Sequence, residues 1–216
     1  MRPLNRSTAN VSTEVRPLGA DRRCGVAGAV ALDPRTYGGT YKLIGGSPAL
    51  DFANLVSYRG TPREHDWLDP AANASEWARA AGLDVAIGDV AMLRDVREVL
   101  ARVFLAVADG AAPAAADVAL VGELAADAWT RRRLVLSAGE PPARWSDRAA
   151  TLLDELALDA AGLLTSAERL DRVTACDECR WVFLDATRNR SRRWCDPADC
   201  GNRSRQRRHY ERRRGR

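Results

Sequence analysis

The sequence predicts a mainly α-helical body followed by a small C-terminal module built from a knuckle, a β-hairpin and a helix. Three observations support this fold class. Apolar residues recur at steps of three and four through most of residues 41–171, as they do on the buried face of a helix. Residues 172–216 contain four cysteines in two close pairs, and an arginine-rich tail follows the last of them.

Composition divides the chain into three parts. Residues 1–40 are rich in Pro, Gly, Arg and Thr and lack periodicity, so we expect a flexible extension there. Residues 41–171 are expected to form the helical body, and residues 172–216 the C-terminal module. Hydrophobic residues make up 46% of the chain, which is enough for one core of ordinary size.

The body begins with a predicted short strand at 41–44. Ser47 is then suited to cap a short helix, with Pro48 at its first position. Further helices are predicted over 73–81, 87–108, 114–128 and 147–164, and a short one with a capping box at 165–168. The helix over 87–108 is the clearest, because its apolar residues form one stripe: Val90, Leu93, Val96, Leu100, Val103, Phe104 and Val107. In the helix over 114–128, the residues expected to face inward are Val118, Val121, Leu124 and Ala125.

The C-terminal module is expected to start with a tight knuckle at 176–179. Residues 181–185 are rich in β-favouring side chains and suit a first strand, with a turn at 186–190. Residues 191–195 are expected to form the returning strand. A helix then runs from the last cysteine to about residue 214, which completes a treble-clef-like order of elements.

The cysteine spacing predicts a metal site. Four thiols in the pattern C-x2-C-x15-C-x4-C suit one tetrahedral zinc ion, bound by Cys176, Cys179, Cys195 and Cys200. Two disulfides are the alternative, which a reducing compartment would disfavour. A catalytic zinc needs an open position and usually His or carboxylate ligands, whereas the chain has only two histidines. We therefore expect one structural Zn²⁺, while Cys24 is expected to be a free thiol without a role.

Charge is segregated along the chain. Residues 172–216 carry 14 arginines against 6 acidic residues, whereas residues 1–171 are net negative. Such asymmetry is typical of a polyanion-binding appendage on an acidic body. One face of the last helix is expected to carry Arg203, Arg207 and Arg214 with Tyr210 between them. The candidate nucleic-acid contacts are Arg188, Arg190, Arg192 and Arg193 on the predicted hairpin and Arg203, Arg205, Arg207, Arg208 and Arg212 on the helix. The alternatives are a solvated helix and, on the hairpin, pairing of arginines with Asp185.

Several classes of function find no support in the residues. The chain has no Gly-rich phosphate loop, no nucleophile elbow and no His-rich cluster, so we expect no catalytic residues and no enzyme. Its apolar runs are too short to span a bilayer, so we expect a cytoplasmic protein that does not bind membranes.

Within the module, Phe183-Leu184-Asp185, Arg193-Trp194-Cys195 and the intact tetrapeptide Cys200-Gly201-Asn202-Arg203 resemble the CGNR zinc-finger family. The body resembles that family's usual partner, the ABATE domain, through Gly45-Gly46, Leu50-Asp51-Phe52-Ala53-Asn54, Asp66-x-Leu68 and Trp77. After the asparagine of this motif the ABATE domain usually has threonine, whereas this chain has Leu55. The resemblance implies a stress-induced bacterial transcription regulator whose body senses a ligand, and Asn202 is expected to cap the last helix.

Three functions remain in competition. The leading one is a DNA-binding regulator, which could be a homodimer and could respond to a small-molecule effector. Its candidate ligand pocket comprises Asp51, Asn54, His65 and Asp66, although each could instead make an ordinary capping or loop hydrogen bond. The second is an RNA- or ribosome-associated zinc protein, and the third is a protein-interaction adaptor with a structural zinc.

Overall fold

A computed structural model describes residues 28–137, 141–146 and 150–214. Over these residues the protein is mainly helical, as predicted, and its strands form two-stranded antiparallel sheets. None of the helices in this part of the chain is both long enough and apolar enough to cross a membrane.

The helices and strands are numbered in chain order. The helices are α1 (Pro48–Ala53), α2 (Asn73–Ala80), α3 (Val90–Ala108), α4 (Ala115–Arg131), α5 (Leu152–Leu164), α6 (Ala167–Leu170) and α7 (Cys200–Arg214). The strands are β1 (Ala29–Val30), β2 (Tyr41–Lys42), β3 (Val56–Ser57), β4 (His65–Asp66), β5 (Arg133–Leu136), β6 (Ala143–Ser146), β7 (Val173–Ala175) and β8 (Val182–Leu184).

Helix α1 lies at the centre of the body, packed against α3, α5 and β8. Pro48 occupies its first position and Ser47 precedes it, as predicted. The Ser47 hydroxyl does not cap the helix, however, but donates a hydrogen bond to the carboxylate of Asp159 on α5. The N–H of Ala49 donates to the same carboxylate oxygen at 2.9 Å. Asp159 thus caps α1 from another helix, and burial raises the pKa of this carboxyl.

Helix α3 confirms the stripe that its sequence predicts. Leu93, Leu100 and Phe104 are buried in the core, while Val90 and Val107 at the two ends are only partly buried. The helix begins at Val90 rather than at residue 87, because the carboxylate of Asp89 accepts the N–H of Ala91 and caps it there.

Helix α4 keeps most of its predicted inward face, and Leu124 is partly buried there. Val121 and Ala125 are buried as expected, but Val118 is 38% exposed. Small residues let α4 approach α5 closely, and this contact selects which stripe of α4 is buried. The residues that meet there are Ala125, Ala128, Ala157 and Leu158.

Helix α5 begins at Leu152, later than the predicted residue 147. Thr151 and Asp154 form a reciprocal capping box that sets this start. At the predicted capping site before α6, Ser166 accepts the N–H of Arg169 at 3.4 Å and acts as the N-cap.

The body extends further towards the N-terminus than predicted. Strand β1 pairs with β2, Leu32 is buried, and Asp33 and Asn73 exchange two hydrogen bonds of 2.9 Å. The predicted extension over 1–40 is therefore wrong for its last residues, because they form a hairpin and a polar contact with the body. Residues 1–27, including Cys24, lie outside the described residues.

The hairpin of the C-terminal module forms between different segments from those predicted. Strand β8 pairs with β7, so the 176–179 knuckle is itself the turn between the strands. Residues 191–195 form no strand. The Asp185 carboxylate organises that segment instead, because it accepts the N–H of Thr187 at 2.8 Å and of Arg192 at 2.9 Å.

The module and the body share one hydrophobic core. Cys176, Trp181 and Phe183 belong to the same buried cluster as the residues of α1 and α3. Polar contacts reinforce this packing. Asn54 accepts the N–H of Val182 at 2.8 Å and donates to its carbonyl at 2.9 Å, so a body side chain pairs with β8 as a strand would.

We expect Asn54→Ala to lower the free energy of unfolding by about 2–4 kcal/mol, because both backbone groups of Val182 would be left buried without a partner. Urea denaturation of the zinc-loaded protein measures this loss. Asn189→Ala is the matched control, since Asn189 is exposed. Equal stability of the two variants would contradict a clamping role for Asn54.

Candidate metal centre and basic helix

The four predicted metal ligands lie together. Their Sγ atoms are all within 4.8 Å of one another, and Cys195 Sγ lies 3.5 Å from the Sγ atoms of both Cys179 and Cys200. Tetrahedral zinc with bonds of about 2.3 Å needs sulfur–sulfur edges of about 3.8 Å. The cluster therefore fits one structural Zn²⁺, which would be enclosed by four buried thiolates.

The four clustered cysteines do not form the two disulfides that were the alternative to a metal site. All four of these cysteines are free. Hydrogen bonds among the four thiols lower the pKa of Cys176 but raise the pKa of Cys179 and Cys195, so without a cation the cluster does not hold four thiolates together.

The surroundings of the sulfurs supply hydrogen-bond donors. The N–H of Glu178 points to Cys176 Sγ at 3.5 Å, and the Arg203 guanidinium approaches Cys200 Sγ at 3.6 Å. Donors to the sulfurs offset the negative charge of a zinc–tetrathiolate centre. Arg203 thus acts at the metal site in addition to marking the CGNR motif.

Helix α7 begins at Cys200, as predicted, and presents two opposite faces. At its base, Cys200, Arg203 and Ser204 face the protein. One turn further along, Arg207 pairs with the carboxylate of Glu178 at 2.7 Å. Arg203, Arg207 and Arg214 lie on one side of α7, as their spacing predicts, but the first two are engaged by the chain itself.

The opposite face of α7 is directed to solvent. Arg205, Arg208 and Arg212 follow each other at three- and four-residue steps and all three are exposed. Arg205 donates to the Asn202 side chain, whose own amide donates to the carbonyl of Ala198 at 2.6 Å. Asn202 lies inside α7, so it does not cap the helix in the predicted way.

The arginines between β8 and α7 differ in their contacts. Arg190 pairs with Asp171, and Arg193 pairs with Asp177 at 2.7 Å. Arg192 lies over the Phe183 ring at 4.2 Å and donates to the carbonyls of residues 194 and 195. Asp185 binds the backbone of this loop rather than an arginine head group.

Arg188 is exposed, and no ion pair of it is found among the described residues. Of the four predicted contacts on this loop, it is the one whose charge is most available.

The four residues of the candidate ligand pocket do not form one pocket. Asn54 clamps β8, and the Asp51 carboxylate accepts the N–H of Gly45 at 2.6 Å. Asp66 binds Arg97 and accepts the N–H of Leu68 at 2.8 Å. Burial would raise the pKa of Asp66, but its bonds with Arg97 outweigh that effect and lower it. These contacts are the capping and loop hydrogen bonds that the sequence left as the alternative.

His65 has a different environment. Its ring stacks on Tyr37 at 4.4 Å and meets Trp67 edge-on at 4.5 Å. Burial lowers the pKa of His65, so the neutral ring is favoured.

The comparisons with known proteins agree with this geometry. Residues 46–167 match the model of the family ABATE, which is described as "Putative stress-induced transcription regulator". This match covers more than half of the chain. The protein belongs to the ABATE family. Residues 172–213 match the CGNR zinc finger, which contains all four cysteines and α7 up to Arg213. No curated protein matches the chain.

A cleft that the sequence did not predict lies between the ABATE domain and the CGNR finger. Its volume is about 180 Å³, and it borders the metal centre, because three of the cysteine ligands line it. The rest of its lining includes Tyr37, Lys42 and Tyr58 from the body and Asp199 and Arg203 from the finger. The Tyr58 hydroxyl and Arg203 Nε are buried, and each lacks a hydrogen-bond partner among the described residues. Lys42 could have drawn attention to this place, because it is the only lysine in a chain whose other strongly basic side chains are all arginine.

Lys42 ties the body to the base of the basic helix. Its Nζ lies 2.6 Å from Asp196 and 3.3 Å from Asp199, in the turn that leads into α7. The hydrogen bond to Asp196 is the main reason why the pKa of Lys42 is raised, so the ammonium stays charged. The body therefore contacts the start of α7 directly, through a strand that precedes the residues matched to ABATE.

We expect one zinc per chain, and we expect its removal to unfold more than the finger, because the cysteines are part of the shared core. Chelation or Cys195→Ser should lower the melting temperature of the whole protein and expose Trp181 to solvent. Metal analysis, circular dichroism and tryptophan fluorescence measure these effects.

Cys24→Ser is the matched control and should keep one zinc and full stability. A body that melts unchanged after zinc has been removed would contradict the coupling between the two parts.

Proposed function

We propose that this ABATE protein is a bacterial transcription regulator, without catalytic activity, that binds DNA in the cytoplasm through the outward face of α7. The observation that carries the proposal is the exposed row Arg205, Arg208 and Arg212 on a helix whose base is fixed by a metal centre. A helix with such a row can lie in a major groove, where its arginines contact phosphates or base edges.

The composition of α7 also supports a charged partner. From Arg205 to Arg214 every residue of the helix is exposed, so this part has no apolar face that could hold it. A helix that is polar all round is only marginally stable by itself. Phosphate contacts would neutralise its repelling charges, and binding would therefore stabilise the helix.

DNA is favoured over RNA by the state of the aromatic residues. Single-stranded RNA is commonly bound by stacking of bases on exposed aromatic rings. Trp181 is buried and Trp194 is partly buried, which leaves Tyr210, 65% exposed, as the one freely accessible ring of the three that the sequence offered for stacking. A single exposed ring offers little area for base stacking, whereas three exposed arginines on α7 are available for phosphate contacts.

We expect the double variant Arg208→Ala, Arg212→Ala to bind random duplex DNA more weakly and to reduce the slope of log affinity against log salt by about 1.8, or about 0.9 for each phosphate that is no longer neutralised. Alanine favours helix, so melting of α7 does not explain the weaker binding. Fluorescence anisotropy over a salt series measures both quantities.

The matched control is Arg79→Ala, Arg102→Ala, which removes two exposed body arginines and should leave the slope unchanged. Equal effects of the two pairs would mean that the binding is diffuse. Tighter binding to single-stranded RNA than to duplex DNA would favour the RNA-associated alternative, and no binding to either would favour the adaptor.

The cleft beside Tyr58 is the site that we propose for a small-molecule effector. It borders both the body and the first turn of α7, so an occupant would bias how the two parts contact each other. A thermal-shift screen of small organic acids tests this, because the two buried groups without partners are both hydrogen-bond donors. A stabilising compound should lose its effect in Tyr58→Ala and should change the affinity for DNA.

A further inference from the structure

The hairpin of β5 and β6 has one apolar and one basic face. Along β5, Leu134 and Leu136 alternate with Arg133 and Val135, and successive residues of a strand point to opposite faces. The register places Leu134 opposite Trp145 and Leu136 opposite Ala143. One face is therefore built from Leu134, Leu136, Ala143 and Trp145, and we name it the apolar hairpin face.

This face is exposed to solvent. Leu134 is 62% exposed, Leu136 89% and Trp145 46%. Trp129 at the end of α4 meets Trp145 edge-on at 5.3 Å and is itself 47% exposed, so it extends the face. A hairpin whose largest apolar side chains share one face is typical of a sheet with that face covered. In one copy of the chain, the described residues leave the apolar hairpin face uncovered.

The hairpin has a firm base. The side chain of Arg132, just before β5, is buried and donates to Glu155 at 2.8 Å, and Arg131 pairs with the buried carboxylate of Asp154. Both contacts fix the end of α4, from which the hairpin starts, to α5. A two-stranded hairpin is otherwise marginal in water, so further packing on its apolar face would add stability where the fold itself provides little.

The other face of the hairpin carries arginines and is unsuited to apolar packing. Arg144 is exposed, and the guanidinium of Arg133 donates to the carbonyl of Thr130 at 2.7 Å. A partner that covers the hairpin by apolar contact must therefore approach from the side of Leu134 and Trp145.

We propose that the apolar hairpin face is a self-association surface, on which the same face of a second copy of this chain packs across a two-fold axis. In a two-fold contact each copy presents the same patch, so the apolar face of one copy covers the apolar face of the other. Two such sheets would stack about 10 Å apart, with the paired tryptophans at the centre of the contact. The basic faces would point away from each other.

The area supports a weak dimer. Trp129, Leu134, Leu136 and Trp145 together expose on the order of 450 Å², which lies in the range of the largest apolar patches on monomers. Burying the patch on both copies gives about 900 Å², which is just below the roughly 1,000 Å² of a stable specific interface and fits a weak, transient one. We therefore expect a reversible dimer with a dissociation constant in the micromolar range.

Sedimentation velocity of the zinc-loaded full-length protein over a concentration series tests this without DNA. The wild type should shift from monomer to dimer in the micromolar range, and Leu136→Glu should weaken the association about tenfold or more. The leucine is almost fully exposed, so this change should not disturb folding, and circular dichroism and zinc content verify that.

Arg144→Glu on the basic face is the matched control and should dimerise like the wild type. A wild type that stays monomeric over the whole series would overturn the proposal. So would a dimer that Leu136→Glu leaves intact, or one that both variants disrupt equally.

Discussion

The packing of the cysteine cluster into the body core is the constraint on which the rest of the structure depends. Cys176 and Cys179 form the turn between β7 and β8, while Cys195 and Cys200 close a loop that contains no strand. This loop has few apolar residues with which to fold, so zinc–thiolate bonds and the turn at Asp185 determine its path. Helix α7 starts at the last ligand, and the direction of the basic helix therefore follows from the metal centre.

The body takes part in that orientation as well. Asn54 clamps β8 through two hydrogen bonds, and Lys42 binds the carboxylates in the turn before α7. Because the body contacts the finger at β8 and again in the turn before α7, packing and hydrogen bonds hold the two parts together. A change in the body near Tyr58 would reach Arg203 directly, because that guanidinium lies 5.7 Å from the Tyr58 ring. Sensing and binding would then be coupled over a few ångströms rather than through a long path.

Local patterns predicted most helices and the metal ligands, because their signals lie within a few residues of one another. The stripe of α3 and the spacing of the four cysteines are signals of this kind. The long-range choices were not predictable in the same way. Val182 pairs with Asn54 across 128 residues, and the sequence contains no signal for that distance. The predicted hairpin was wrong because the composition of residues 181–185 indicates a strand but not the segment with which that strand pairs. The ion pair of Arg207 was not predictable for a related reason, since only the fold brings Glu178 to Arg207.

The exposed charge of α7 and the exposed apolar surface of the β5–β6 hairpin lie at two separate places on the protein. On α7 like charges lie close together on a helix without a core, which costs stability unless an anion neutralises them. On the β5–β6 hairpin Leu134, Leu136 and Trp145 share one exposed face, and no part of the described body covers it. Each surface is costly in an isolated monomer and favourable in a complex. A dimer formed through the hairpin would carry two basic helices, and two helices held by one two-fold axis are what a palindromic DNA site requires. Self-association would thus raise the affinity for paired half-sites through effective concentration, without any new contact to DNA.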